Sequence, residues 1–264
     1  MEQPLYALPC FSDIETIVPI VAGLSSHCYQ VNADSKSFFA KKITAENEVN
    51  ISLHAASIYL SPQVIYHDRH WLINEFIEGE NLALEPQPIT DKTIIAIKLM
   101  AQCHQMTVKP IELDPINITD ELIENPSFSD KQKTELLQTA KQLISQLEHT
   151  KHLVCCHGDL NFSNILIDPK ENAYLVDFEC ARAAPAEYDL AMFLAVNNIN
   201  KNHTSTIIEH YLKYAQIDID LTLFNHFLDF CYFINGLWYT HACHQTKLDK
   251  FSLLAKQQWQ NIPH

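Results

Sequence analysis

Apolar residues along this chain fall into two regimes, and the change comes near Gly79. Up to that point they form short runs divided by polar turns, the signature of strands. Residues 14–21 (IETIVPIV), 29–31 and 38–43 read as three strands, with the turn Asn32-Ala33-Asp34-Ser35-Lys36 before the third. An amphipathic stretch follows at 48–59, then two more strands at 62–65 and 71–77, split by His67-Asp68-Arg69. Beyond Gly79 the spacing turns helical. Residues 90–106 place Ile94, Ile95, Ile97, Leu99 and Met100 at helical intervals, with Thr90 as N-cap. Prolines and polar clusters make 108–126 a long irregular connection, and 130–148 a strongly polar helix. The remaining helices are expected at 204–215, 221–245 and 247–260.

One stretch interrupts this helical part. Residues 153–177 read LVCCHGDLNFSNILIDPKENAYLVD. An apolar run, 153–156, leads into a polar turn, 157–164; then come Ile165-Leu166-Ile167, a turn from Asp168 to Asn172, and Tyr174-Leu175-Val176. Apolar, turn, apolar is a hairpin pattern. It holds Asn164 and Asp177 at the ends of adjacent strands, with Asp159 in the loop before them. Phosphoryl transfer from ATP needs a carboxylate to take the proton of the attacking hydroxyl and oxygen ligands to hold magnesium on the phosphates. Kinases order these groups as H-x-D-x-x-x-x-N, then a second Asp after a strand. His157, Asp159, Asn164 and Asp177 fill those places.

The totals narrow the field. A chain of 264 residues can form one large domain or two lobes around a sizeable core. Its net charge of -14 argues against non-specific nucleic-acid binding and suits a small cationic substrate. There is no apolar run of about eighteen residues and no basic start before an apolar segment, so neither a membrane span nor a signal peptide is expected. Eight cysteines, at 10, 28, 103, 155, 156, 180, 231 and 243, form no C-x-x-C pair, and a reducing cytoplasm fits them best. The fourteen histidines lack ligand spacing, which makes zinc an improbable partner. No pattern assigns an oligomeric state.

The central motif resembles the aminoglycoside phosphotransferase and choline kinase superfamily of small-molecule kinases, which share the protein-kinase-like fold. Gly158 follows His157 where protein kinases carry Arg, and Glu179 follows Asp177-Phe178 where they carry Gly. The second feature is similar to the choline kinase and thiamine kinase branches. The resemblance implies an α+β, bilobal fold, with a small β-rich nucleotide-binding lobe at 1–78 and a mainly helical catalytic and substrate-binding lobe at 79–264. It implies ATP and Mg2+ as cofactors, Asp159 as catalytic base, and Asn164 and Asp177 as magnesium ligands. The acceptor is then an alcohol on a small cationic metabolite: thiamine first, choline or ethanolamine second, an aminoglycoside third. A degenerate member that binds nucleotide without turnover is the competing class. A protein kinase is disfavoured, because D-F-G and A-P-E segments are missing.

Further positions follow from the same resemblance. Gly23-Leu24-Ser25-Ser26 is similar to the family's phosphate-covering turn, so that Gly23, Ser25 and Ser26 would meet phosphate oxygens although G-x-G-x-x-G is absent. Lys41 takes the basic position on the third strand, with Lys42 the alternative, and Glu48 orients it, with Glu46 second. Main-chain groups of Glu75, Phe76 and Ile77 are the expected adenine contacts. His104 ends a helix resembling the family's L-A-x-L-H terminus and is taken as packing. Asp189, in a D-L-A segment, braces the catalytic loop. Phe224, Phe227, Phe230, Tyr232, Phe233, Trp238 and Tyr239 are expected mostly in the core. Asp229 with Tyr232 or Trp238 could meet a cation through charge and ring face. Glu179 either touches substrate or orders its loop.

Overall fold

Five antiparallel strands in the order β1-β2-β3-β5-β4 form the first layer of the computed structural model. They are β1 (Ile14–Ile20), β2 (Cys28–Ala33), β3 (Lys36–Lys42), β4 (Val64–His67) and β5 (Trp71–Glu75). The structure describes residues 4–20, 27–45, 47–147 and 152–262. Gly23, Ser25, Ser26 and Glu46 therefore lie outside the described residues.

Local chemistry sets the sheet. Asp34 and Ser35, with φ of 52° and 61°, form the two-residue turn joining β2 to β3. Positive φ at both centres gives the twist that a tight hairpin needs. The Asp34 carboxylate also accepts from the amides of Ser12 and Asp13, each at 3.0 Å, which ties the start of β1 to the turn. Val31, Ala33, Phe38, Ala40, Trp71 and Ile73 are buried beneath the sheet with Leu5 and Leu8.

Helix α1 (Glu48–Ser57) buries Glu48, Ile51, Ser52 and Ala55, one face at intervals of three and four. That geometry turns Glu48 inward. Past β5 the chain pairs only briefly, as β6 (Glu80–Asn81), and then becomes helical. Gly79 passes so close to the hairpin that an added Cβ would lie 1.9 Å from the Ile167 carbonyl oxygen.

The helical part contains α2 (Ile89–His104), α3 (Pro115–Ile123), α4 (Asp130–Ile144), α5 (Ala186–Val196), α6 (Thr204–Tyr214), α7 (Leu221–Thr246) and α8 (Asp249–Gln260). Two expectations need correcting here. Pro88, not Thr90, precedes α2 as its N-cap. The connection expected to be irregular holds α3, whose start is fixed by Asp114: its carboxylate accepts from Ile116 and Asn117 at 3.0 Å each, with Pro115 in the first turn. A capping box of Ser129 and Gln132 opens α4. Every residue of α5 from Ala186 to Ala195 is buried, and α7 packs along it while α8 packs on α7. Between α4 and α5 lie β7 (Val154–Cys156), β8 (Ile165–Ile167), β9 (Ala173–Leu175) and β10 (Arg182–Ala184). β6, β8 and β9 form one small sheet, and β7 pairs with β10 in another. No helix among the described residues is long and apolar enough to cross a membrane.

Candidate active site

The β8–β9 hairpin registers Ile165 opposite Leu175, and the Val176 amide donates to the Asn164 carbonyl at 3.0 Å. Asn164 and Asp177 therefore leave the hairpin at the same end. Asp159 reaches that end from the preceding loop. Its Oδ2 accepts from Asn164 Nδ2 and from Asn161 Nδ2, both at 3.1 Å, while Asn164 Nδ2 also donates to the Asp159 carbonyl at 2.9 Å. With its amide nitrogen so committed, Asn164 keeps its carbonyl oxygen as an acceptor. Burial pushes the Asp159 carboxyl up to about 6, against the nearby His157 and its amide donors. Asp177 adopts a left-handed backbone, φ 69° and ψ 67°, at the mouth of a short 3-10 turn, Phe178–Cys180. For a residue with a Cβ such a conformation is strained and persists where the surroundings demand it.

Across from this end, Lys41 Nζ touches three carboxylates. Glu48 Oε1 and Asp177 Oδ1 are each at 2.5 Å, and Glu179 Oε2 is at 3.1 Å. Burial disfavours the ammonium, but Asp177, Glu48 and Glu179 outweigh it and hold the pKa above the usual lysine value. Burial also lifts Glu48 to about 7, with the Lys41 charge opposing. Glu48 Oε2 is buried without a hydrogen-bond partner among the described residues. Glu179 also accepts from Thr44 Oγ1 at 3.2 Å. Here Glu179 joins the loop after Asp177 to the sheet-bearing part, an ordering contact through a residue, Thr44, that the sequence did not single out.

Beneath the loop, Asp189 accepts from the His157 amide at 2.9 Å and the Gly158 amide at 2.8 Å. His104 Nε2 lies 2.9 Å from Asp189 Oδ2, and His104 Nδ1 lies 2.7 Å from the Tyr211 hydroxyl. Burial would raise Asp189, but His104 and the Gly158 amide hold its carboxyl below the usual range. An ionised Asp189 places the imidazole proton on Nε2, so Nδ1 accepts from Tyr211. His104 is thus a buried, hydrogen-bonded support for the loop. His157 Nε2 meets the Val176 carbonyl at 3.0 Å, linking the loop to the strand that delivers Asp177. Gly158 has φ +78°, and an added Cβ would stand 2.2 Å from the Cys180 carbonyl oxygen.

Other expected positions lie elsewhere or are already engaged. The Glu75 and Phe76 amides donate to Gln63 and Ser37 carbonyls at 2.9 and 3.2 Å. Within that trio, a donor to a purine that spares the sheet must come from Ile77. Asp229 and Tyr232 do not present an open cation seat. The ammonium of the chain's own Lys201 stands 3.6 Å from Asp229 Oδ1 and 5.1 Å from the Tyr232 ring centroid. Trp238 is 40% exposed and packs edge-on against Tyr239 at 5.3 Å. Tyr239 is the α7 residue that feels the catalytic loop: burial raises its phenol, and the Asp159 charge raises it further. Among the described residues one group has metal-like spacing, His104, Cys156 and Asp189, with ligand atoms within 4.8 Å of one another. Its donors and acceptors are taken up by the hydrogen bonds above and by Cys156 Sγ contacts to Ala184 and Pro185 carbonyls at 3.6 Å.

A five-stranded sheet, an inward glutamate on the following helix and a loop-plus-hairpin carrying Asp, Asn and Asp define a protein-kinase-like fold. Solved structures agree. Choline kinase LicA from Streptococcus pneumoniae matches with a TM-score of 0.73 at 16% identity, covering 94% of this chain and 93% of that one. A spectinomycin phosphotransferase in complex with ADP and spectinomycin matches with a TM-score of 0.63 at 20% identity, covering 94% and 93%. The aminoglycoside 3'-phosphotransferase of Streptomyces ribosidificus is 30% identical over 136 residues, 46% of this chain and 52% of that protein. The chain spans about half the length of this curated relative. Residues 16–222 match the phosphotransferase enzyme family, and the chain belongs to it.

Proposed function

We propose that this chain transfers the terminal phosphoryl group of ATP to a hydroxyl of a small cationic metabolite, with residues 1–78 as nucleotide lobe and 79–264 as catalytic lobe. The observation that carries this is the junction of Lys41 with Glu48 and Asp177 beside Asp159 and Asn164. Asp159, at about 6, is ionised at neutral pH and basic enough to accept the acceptor's proton. Asn161 and Asn164 hold its Oδ2, which leaves Oδ1 for the incoming hydroxyl. Lys41, kept charged by its neighbours, would neutralise phosphate oxygens while Glu48 orients it.

The donor set fits magnesium. Asn164 and Asp177 offer hard oxygens, the ligands Mg2+ prefers, and no thiol or imidazole joins them. Bound there, the ion would neutralise charge on the phosphates. The ADP complex of the spectinomycin phosphotransferase supports a nucleotide in this site. The net charge of -14 and the exposed Trp238 ring on α7 support a cationic acceptor. Thiamine leads on the Asp177-Phe178-Glu179 resemblance, with choline, ethanolamine and aminoglycosides as alternatives, and a reducing cytoplasm as the setting. The test is turnover of Mg-ATP with each acceptor, by wild type and Asp159→Asn. Transfer lost in the variant supports the reading. Nucleotide binding with transfer to none of them favours a binding-only member.

A further inference from the structure

Helix α5 touches the catalytic loop twice, on either side of Asp159. Asp189 holds the amides of His157 and Gly158 before it. After it stands Asn197, the C-cap residue of α5. Asn197 Oδ1 accepts from the Phe162 amide at 2.9 Å, and Asn197 Nδ2 donates to the Leu160 carbonyl at 3.0 Å. The same Nδ2 donates to the Phe193 carbonyl at 2.9 Å, which fixes the side chain to its own helix. One primary amide thus pairs with a carbonyl and an N–H two residues apart, as a neighbouring strand would. Asn161 lies between those two positions, and its Nδ2 holds Asp159 Oδ2 at 3.1 Å.

We propose that Asn197 is a positioning residue for phosphoryl transfer, setting through the 160–162 backbone where Asn161, and with it the Asp159 carboxylate, points. This rests on the function proposed above. Asp189 pins the loop before Asp159, and the Phe162 carbonyl accepts from the Ala83 amide at 3.2 Å at its far end. Between these anchors Asn197 grips the Leu160 carbonyl and the Phe162 amide, the groups that flank Asn161. Its effect falls on the geometry of the base and not on the Lys41 side of the site, so the loss appears in kcat and spares nucleotide KM.

The experiment compares Asn197→Ala with Gln258→Ala in Mg-ATP turnover. Gln258 is buried on α8, and its Nε2 donates to the Ala195 carbonyl at 3.0 Å. Its removal weakens the same end of α5 without touching the loop. Asn197→Ala should lower kcat about 10- to 100-fold, the size of a small misplacement of a reacting group, with nucleotide KM within about twofold. Gln258→Ala should lose thermal stability and keep kcat. Unchanged kcat in Asn197→Ala, or an equal loss in Gln258→Ala, overturns the proposal. Hydrogen exchange at the Phe162 amide of the wild-type chain decides independently of turnover and of how the variants fold. Protection supports the clamp, and exchange at the rate of an open loop overturns it. A wild type inactive on every acceptor speaks against the proposed function, whereas an active wild type with unchanged kcat in Asn197→Ala speaks against Asn197 alone.

Discussion

Lys41 on β3 and Asp177 after β9, 136 residues apart in the chain, meet with 2.5 Å between Nζ and Oδ1. The same ammonium is shared with Glu48 and Glu179, so one ammonium meets three carboxyl groups. Electrostatics at this point are unbalanced toward negative, a condition that the outcomes below exploit.

Lys41→Met should abolish transfer and also destabilise the fold in a pH-dependent way. Glu48 already titrates at about 7 against an ordinary 4.5, and loss of the lysine raises it further. A carboxyl raised in the folded state costs stability as pH climbs from its unfolded value through its folded one. The Glu48 share of the deficit is therefore absent at pH 5 and about 1–1.5 kcal/mol at pH 8, because a carboxyl already at about 7 in the wild type can cost the variant no more than the pH interval above that value. Urea unfolding at the two pH values measures it; equal deficits would exclude this account.

Asp159→Asn should remove turnover while stabilising the chain. The carboxyl titrates at about 6 instead of 3.8, so its burial as an anion costs stability increasingly above pH 4. At pH 7.5 the variant should gain about 1–3 kcal/mol, and near pH 4 nothing. Thermal melts at both pH values give the answer. A lower Tm at pH 7.5 contradicts the assignment of Asp159 as a partly buried, charged base.

The pH profile of kcat/KM follows from the same group. The base must be ionised, so activity should fall as pH drops through about 6, with a slope of one proton. A limb near 4 would mean that the acceptor's proton goes to a solvated carboxylate instead.

Gly158→Ala should cost about 2–3 kcal/mol or more, combining a left-handed backbone with a clash against the Cys180 carbonyl. The damage lands just after the two amides that Asp189 holds and directly before Asp159, so turnover should fall further than stability. Melting and turnover of the purified variant separate the two effects.

Much of this arrangement was legible because it is local. Strand runs bounded by turns, the hairpin and the spacing of Asp159, Asn164 and Asp177 all lie within short windows of sequence. Helix α5 was missed because it is buried all round from Ala186 to Ala195 and so carries no amphipathic stripe. In α3 the start signal Asp114-Pro115 was outweighed by the surrounding prolines. β10 is three residues long and pairs with β7, a partner too distant for any periodic pattern. Side-chain networks fared worst. His104 meets Asp189 and Tyr211 across 85 and 107 residues, and the cation beside Asp229 and Tyr232 turned out to be Lys201. Asn197 has no neighbouring motif to advertise it.

The tight passage of Gly79 dictates which pieces of the crevice can travel together. Glu80 and Asn81 are laced to β8, so the segment after Gly79 belongs to the same rigid piece as Asn164 and Asp177. The sheet that carries Lys41 is fastened to that piece elsewhere as well: the Leu175 amide donates to the Leu60 carbonyl at 2.8 Å, and Lys41 and Thr44 reach Asp177 and Glu179. Parting the two sides would break all of these contacts together.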